Sequence, residues 1–341
     1  MNKELAFKDL DELIESFDIE VVKAKNSNNF DSIIQRNFII SYYTIWETYI
    51  KYRLYDVYQE NEELLYNEVF IKKYFEKVMS KNHISKIFLK KISSSDVQKE
   101  ILCDSNNLNW NEIENFILLI GFDINILKKN IQEDQGVDAI IKSMSNNGIF
   151  PVYKDNNNEQ NALMKNVAGY IQYMVDLRNQ ISHNYNSRIG DVLNKNKITL
   201  MIHFLKKIIC IIDSFINEEI FERLKNSEYL EGLLDINSVI RGCNTDIENT
   251  CVLEVLIPPE GIELPKQLYL KSATGAVEKM DIVSIKCKNV YLRDFFAGKM
   301  NSIEVRTTMK VRRGRNLEIC ARKYVRGKMR IVQTEYTVEG D

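Results

Sequence analysis

The sequence predicts an α+β chain in two parts. An N-terminal antiparallel helical bundle over residues 1–240 is followed by a smaller, antiparallel β-rich domain over residues 241–341. Three observations carry this expectation. Apolar residues recur every three or four positions in the first part and every second position near the end. Of the four prolines, Pro258, Pro259 and Pro265 fall within "IPPEGIELP" and none precedes Pro151, which suits a proline-poor helical part followed by a turn-rich one. Charge divides in the same region: residues from 251 onward carry 17 Lys+Arg against 11 Asp+Glu, and the residues before them carry 29 against 37.

Taken in order, Leu10, Leu13, Phe17 and Val21 mark a first helix. In "NFIISYYTIWETYIKYRLYDVY", Ile39, Tyr42, Trp46, Tyr49 and Ile50 mark a second. Further helices are expected at about 62–80, 84–103, 110–132 and 136–145. The Asn-rich "KDNNNEQN" reads as a loop before a helix from about 158 to 185, with another from about 192 to 226. Strands are expected at about 251–257, 267–272 and 281–290. In "SIEVRTTMKV", Ile303, Val305, Thr307, Met309 and Val311 alternate with Glu304, Arg306, Thr308, Lys310 and Arg312, one apolar face against one charged face. "RRGRN" and "RGK" then read as turns around the strands "LEICARKYV" and "MRIVQTEYTV".

Composition narrows the function classes. At 45% hydrophobic and 28% charged, the chain has enough apolar side chain for a sizeable core. Its opening "MNKELAFKDLDELIES" alternates charged and apolar residues, unlike a signal peptide, and runs such as "FILLIGF" fall short of the roughly 18 residues that span a bilayer. A cytoplasmic protein with no membrane partner is therefore expected. The six cysteines (Cys103, Cys210, Cys243, Cys251, Cys287, Cys320) form no C-x-x-C pair, and the histidines are only His83, His183 and His203. Neither a metal centre nor a cofactor is expected.

"VDLRNQISHNY", residues 175 to 185, is the stretch that carries chemistry. At 100° per residue, Val167, Ile171, Met174, Ile181 and Tyr185 share one apolar stripe, and Arg178 falls in its middle, about 20° from Val167. Gln172, Asp176, Asn179 and His183 form a polar stripe on the other side. A guanidinium among apolar side chains costs several kcal/mol unless it is paired or lines a wet cleft. Taken singly, an Arg and a His in a helix are more often a structural ion pair, here with Glu47, and a surface or capping histidine.

Together, however, "RNQISH" has the form R-x4-H with a polar residue directly after the arginine, near the end of a long helix, with "IWETY" upstream. This pattern resembles the HEPN superfamily, prokaryotic helical domains that include ribonuclease toxins and antiviral defence effectors and whose signature is R-x4-6-H. The resemblance places that signature on Arg178, Asn179 and His183. "HNY" extends it to R-x4-H-x-Y, similar to HEPN toxins modified on the tyrosine, which would be Tyr185.

What the resemblance implies is a metal-independent RNA endonuclease acting as a homodimer, on tRNA or another RNA, with an antitoxin or trigger protein as a partner. A free imidazole titrates near pH 6.5, so a histidine can accept or donate a proton at neutral pH. An arginine fork can hold the scissile phosphate and the charge that builds on it. One chain offers a single such imidazole, so two copies facing one cleft would supply both base and acid. On a straight helix Arg178 and His183 point about 140° apart, which a loosened last turn or the second copy would reconcile. Asn179 and Asp176 are the candidates to orient the imidazole, and Glu47 to position Arg178.

The β-rich part carries a second expectation. Arg306, Lys310, Arg312, Arg322 and Arg330 fall on the charged faces of predicted strands, with Arg313, Arg315, Arg326 and Lys328 at the turns. Such a cluster could neutralise phosphates along a nucleic acid, or be a solvated face shared with Glu304 and Glu318. The alternative to a nuclease is a non-catalytic HEPN-like dimer whose β domain binds nucleic acid or a protein.

Overall fold

A computed structural model describes residues 3–24, 30–61, 65, 67–80, 97–105, 107–151, 153, 159–183, 193–225, 243–244, 249–256, 267–271, 277–287, 290–292, 299–307, 317–325 and 328–336. Among them are nine helices followed by eight strands, an α+β chain. Backbone contacts divide it into two compact units, Met1–Asp213 and Ser214–Asp341. The division falls inside the last helix.

In the first unit, α1 (Lys3–Ala24) and α2 (Phe30–Glu60) pack on each other. Ala6, Leu10 and Phe17 of α1 are buried at helical spacing. α2 is the central helix. Phe38, Tyr42, Trp46, Tyr49 and Ile50 are all at most 2% exposed, and Tyr43, Leu54 and Val57 extend the burial around much of its circumference. α3 (Glu68–Ser80) and the short α4 (Lys99–Leu102) follow, and the expected helix over 84–103 lies mostly outside the described residues.

The single helix expected over 110–132 is two: α5 (Trp110–Leu119) and α6 (Ile124–Gln132). Gly121 ends the first with φ 80°, and the Phe122 amide donates back to the Ile117 carbonyl at 3.0 Å, a glycine-based helix stop. Asp123 then caps the second helix by accepting from the Asn125 amide at 2.9 Å. Asp134 likewise caps α7 (Gln135–Asn146) through the Val137 amide.

α8 (Glu159–His183) crosses α2 and packs on α5, α6 and α7. It buries Val167, Ile171 and Met174, as the apolar stripe predicts, together with Tyr170 and Val175 on either side of that stripe. The first part of α9 (Lys195–Lys225) is tied to this core. The Tyr42 hydroxyl donates to the Met201 carbonyl at 2.6 Å, and the Tyr170 ring packs edge-on against Phe204 at 4.6 Å between centroids.

The second unit holds β1 (Cys243–Asn244), β2 (Asn249–Leu256), β3 (Gln267–Lys271), β4 (Val277–Cys287), β5 (Val290–Leu292), β6 (Met300–Thr307), β7 (Leu317–Val325) and β8 (Lys328–Tyr336). All pair antiparallel in the order β1-β2-β6-β4-β3-β7-β8, with β5 beside β4. The period-two reading of β6 holds: Val305 is fully buried while Arg306 is exposed. β4 carries a register shift between Ile282 and Ser284, a bulge across which the Ser284 hydroxyl donates to Glu304 at 2.8 Å. Lys271 reaches from β3 to Glu222 and lies over the Phe221 ring, both on the part of α9 that belongs to this unit.

Candidate functional site

Near its C-terminus α8 emerges from the core. Ile181 is still buried, Arg178 and Asn179 are half-buried, and His183 is exposed. Beside them runs α2, where Tyr43, Glu47 and Lys51 recur at four-residue intervals and so share one stripe of that helix. A third wall comes from the segment between α4 and α5. Glu47, Lys51, Ser105, Asn107, Arg178, Asn179 and His183 together line an open cleft of about 520 Å³.

Each wall is fixed by hydrogen bonds. The Tyr43 hydroxyl accepts the Leu108 amide at 2.8 Å, and burial pushes its pKa up to about 12, with the nearby Arg178 and the Leu108 amide opposing that rise. At neutral pH it is therefore a neutral anchor rather than a base. Lys51 donates to the Glu47 carboxylate at 2.9 Å and to the Ser105 carbonyl at 2.5 Å, clamping the third wall to α2. The Cys103 thiol donates to the Lys51 carbonyl at 3.4 Å; burial pushes that thiol up to about 12, which makes it an inert core group.

Arg178 is held differently from the expected ion pair. Its Nη1 donates to Asn179 Oδ1 at 2.8 Å, and its Cζ lies 5.0 Å from the centroid of the Tyr43 ring. Glu47, the expected partner, pairs with Lys51 instead. A guanidinium steadied by an aromatic face and a neutral amide keeps its charge available to an anion.

The structure thus brings Arg178, Asn179, His183 and Glu47 to one cleft although the two signature residues leave a straight helix in different directions. Arg178 sits at the edge of the apolar stripe rather than sealed within it. Asp176 does not join them: it is exposed and accepts from Gln172 at 2.8 Å. Among the described residues neither Asn179 nor Asp176 is hydrogen-bonded to the imidazole. Tyr185 lies outside the described residues.

Tyr43, Lys51, Ser105 and Asn107 escaped the sequence reading. The four-residue spacing of Tyr43, Glu47 and Lys51 was a usable signal, since it marks one helical stripe next to the buried one. Ser105 and Asn107 gave none, because only the folded path between α4 and α5 brings them to α8.

The basic cluster of the sheet is corrected by register. Arg322 lies opposite Ile331, whereas Arg330 lies opposite Lys323, so Arg322 and Arg330 are on opposite faces of the β7–β8 pair. Lys328 lies opposite Val325, on the face of Arg330. Arg306 stands in register between Thr250 and Asp281. A single positive face is not formed by these four positions. Lys310, Arg312, Arg313, Arg315 and Arg326 lie outside the described residues.

No family model matches the chain, and no curated protein matches it. Among the described residues no group of His, Cys, Asp and Glu could hold a metal ion, and no helix is long and apolar enough to cross a membrane.

Proposed function

We propose that this chain is a HEPN-type RNA endonuclease, a toxin or defence effector, that works without a metal at a cleft shared by two copies of its helical domain. The observation that carries the reading is the meeting of Arg178, Asn179 and His183 in one open cleft, with the guanidinium free of any carboxylate partner among the described residues. Glu47 neutralises Lys51, so Arg178 is the cation left for a phosphate.

The reaction needs few parts. One imidazole takes the proton of the ribose 2′-hydroxyl as that oxygen bonds to phosphorus. The bond from phosphorus to the 5′-oxygen breaks, and the leaving oxygen takes a proton from a second, protonated imidazole. The products are a 2′,3′-cyclic phosphate and a 5′-hydroxyl. Arg178 holds the non-bridging oxygens while negative charge builds on them. The cleft contains one imidazole among the described residues, so the second is His183 of another copy.

The test is direct. Purified protein is incubated with total RNA and with tRNA in EDTA, beside His183→Ala and a 2′-deoxy substrate. The wild type leaves cyclic phosphate ends, and His183→Ala falls by a factor on the order of 10²–10⁴, the usual contribution of a positioned acid or base. Cleavage that survives the substitution, or cleavage of the deoxy strand, removes His183 from the chemistry.

A further inference from the structure

Tyr43 lines none of the cleft, yet it is tied to two of its walls. It is 1% exposed and lies on α2 beneath the opening that Glu47, Lys51 and Arg178 line. Its hydroxyl accepts the Leu108 amide at 2.8 Å, and Leu108 is itself fully buried, so the tip of the ring is fixed to the segment before α5. The same ring has its centroid 5.0 Å from Arg178 Cζ, inside the roughly 6 Å within which a cation is drawn to an aromatic face. A side chain buried in this way does not touch RNA. What it does for the reaction passes through Arg178.

We propose that Tyr43 is a positioning residue: its ring holds the Arg178 guanidinium in place for the phosphate without using any of the N–H groups that must grip it. The inference rests on the ribonuclease reading above. A guanidinium carries five N–H donors in a fixed fork. A carboxylate partner, as Glu47 would have been, takes two of them side by side and cancels the charge as well. An aromatic ring takes none, because the attraction is between the positive charge and the electron-rich face. Nη1 gives one donor to Asn179, and among the described residues no acceptor takes the other four. The Leu108 anchor adds the second half of the device. It fixes the ring to the third wall, so the guanidinium is set relative to that wall instead of swinging on its long side chain. Ordering in advance of the reaction matters because a misplaced group loses rate steeply.

The experiment changes the ring's charge distribution while nearly keeping its shape. In the full-length protein Tyr43 is replaced by phenylalanine and then by phenylalanines bearing one, two and three ring fluorines, which progressively drain the negative face. Each variant is checked by thermal melt, and single-turnover cleavage of tRNA in EDTA is measured beside wild type and His183→Ala. Tyr43→Phe keeps the ring without the Leu108 anchor and is the reference for the series. The rate at saturating protein is expected to fall with each fluorine, by about threefold to tenfold over the series, while the melting temperature and the protein concentration giving half-maximal rate hold. A rate that is flat across the series, or that falls only in step with the melting temperature, overturns the inference and leaves the nuclease reading standing. So does a Tyr43→Phe chain as inactive as His183→Ala, which would assign the effect to the hydroxyl. Absence of His183-dependent cleavage overturns both readings.

Discussion

Arg178 is the residue on which the site turns, because of what surrounds its charge. Its neighbours are the Tyr43 ring and the Asn179 amide, and the carboxylate in the same cleft is occupied by Lys51. Lysine keeps the charge but has neither the planar fork that grips two oxygens nor the flat cation that lies on a ring. Arg178→Lys is accordingly expected to lose activity on the order of 10²–10³ in single-turnover cleavage, close to the loss from deleting one transition-state hydrogen-bond donor. The melting temperature should change little, since the side chain is only half-buried. A lysine variant with wild-type rate would reduce Arg178 to a structural residue. The sequence made Arg178 and His183 visible as an R-x4-H pair, but not the partner of the guanidinium. Glu47 was the nearest acidic residue on the expected neighbouring helix, and Lys51 one turn further on competes for it at short range.

At the scale of elements, the cleft depends on how firmly α2 is held. Asp213 of α9 accepts from Arg53 Nε at 2.6 Å, lies 3.5 Å from the Tyr49 hydroxyl and 3.5 Å from Lys3 of α1, and so ties three helices in a buried cluster. Burial alone would push this carboxyl up, but the Arg53 charge, with Lys3, outweighs it and holds the group below its ordinary range. A depressed pKa means that the stabilisation is complete above the unfolded value of about 3.9 and is lost as pH falls through the lower folded value. Urea midpoints should therefore hold between neutral pH and about 4 on this account and drop below it, with Asp213→Ala showing a shallower acid limb. At pH 7 Asp213→Ala should cost about 3–5 kcal/mol, because it removes a buried charge partner of Arg53 and the ties to Tyr49 and Lys3 together. An acid limb identical in wild type and variant would show that the cluster is not what holds α2. The helices themselves were legible from periodicity, since their apolar stripes are long. The break between α5 and α6 was missed although "GFD" spells it, because the apolar pattern continues across Gly121 and only its positive φ and the Asp123 cap reveal the stop.

At the scale of the whole molecule, the sequence distinguished a helical part from a β-rich part because periods of 3.6 and 2 are different signals. Strand positions were legible to within a few residues, but pairing was not. Period two gives the two faces of one strand and says nothing about which residue of the next strand stands opposite, so Arg322 and Arg330 could be placed together on paper and apart in the sheet. The site has the same limit, since nothing in one sequence shows how two copies meet. The central claim, that one RNA phosphate is served by residues of two chains, is tested by a mixed dimer. Wild-type and His183→Ala chains carrying different tags are co-expressed, the doubly tagged species is purified, and its cleavage of tRNA in EDTA is compared with the wild-type dimer and the His183→Ala dimer. The account predicts that the wild-type dimer leaves a 2′,3′-cyclic phosphate and that the mixed dimer, with both Arg178 but one His183, falls to the level of the His183→Ala dimer. A mixed dimer that keeps half or more of the wild-type rate would contradict it.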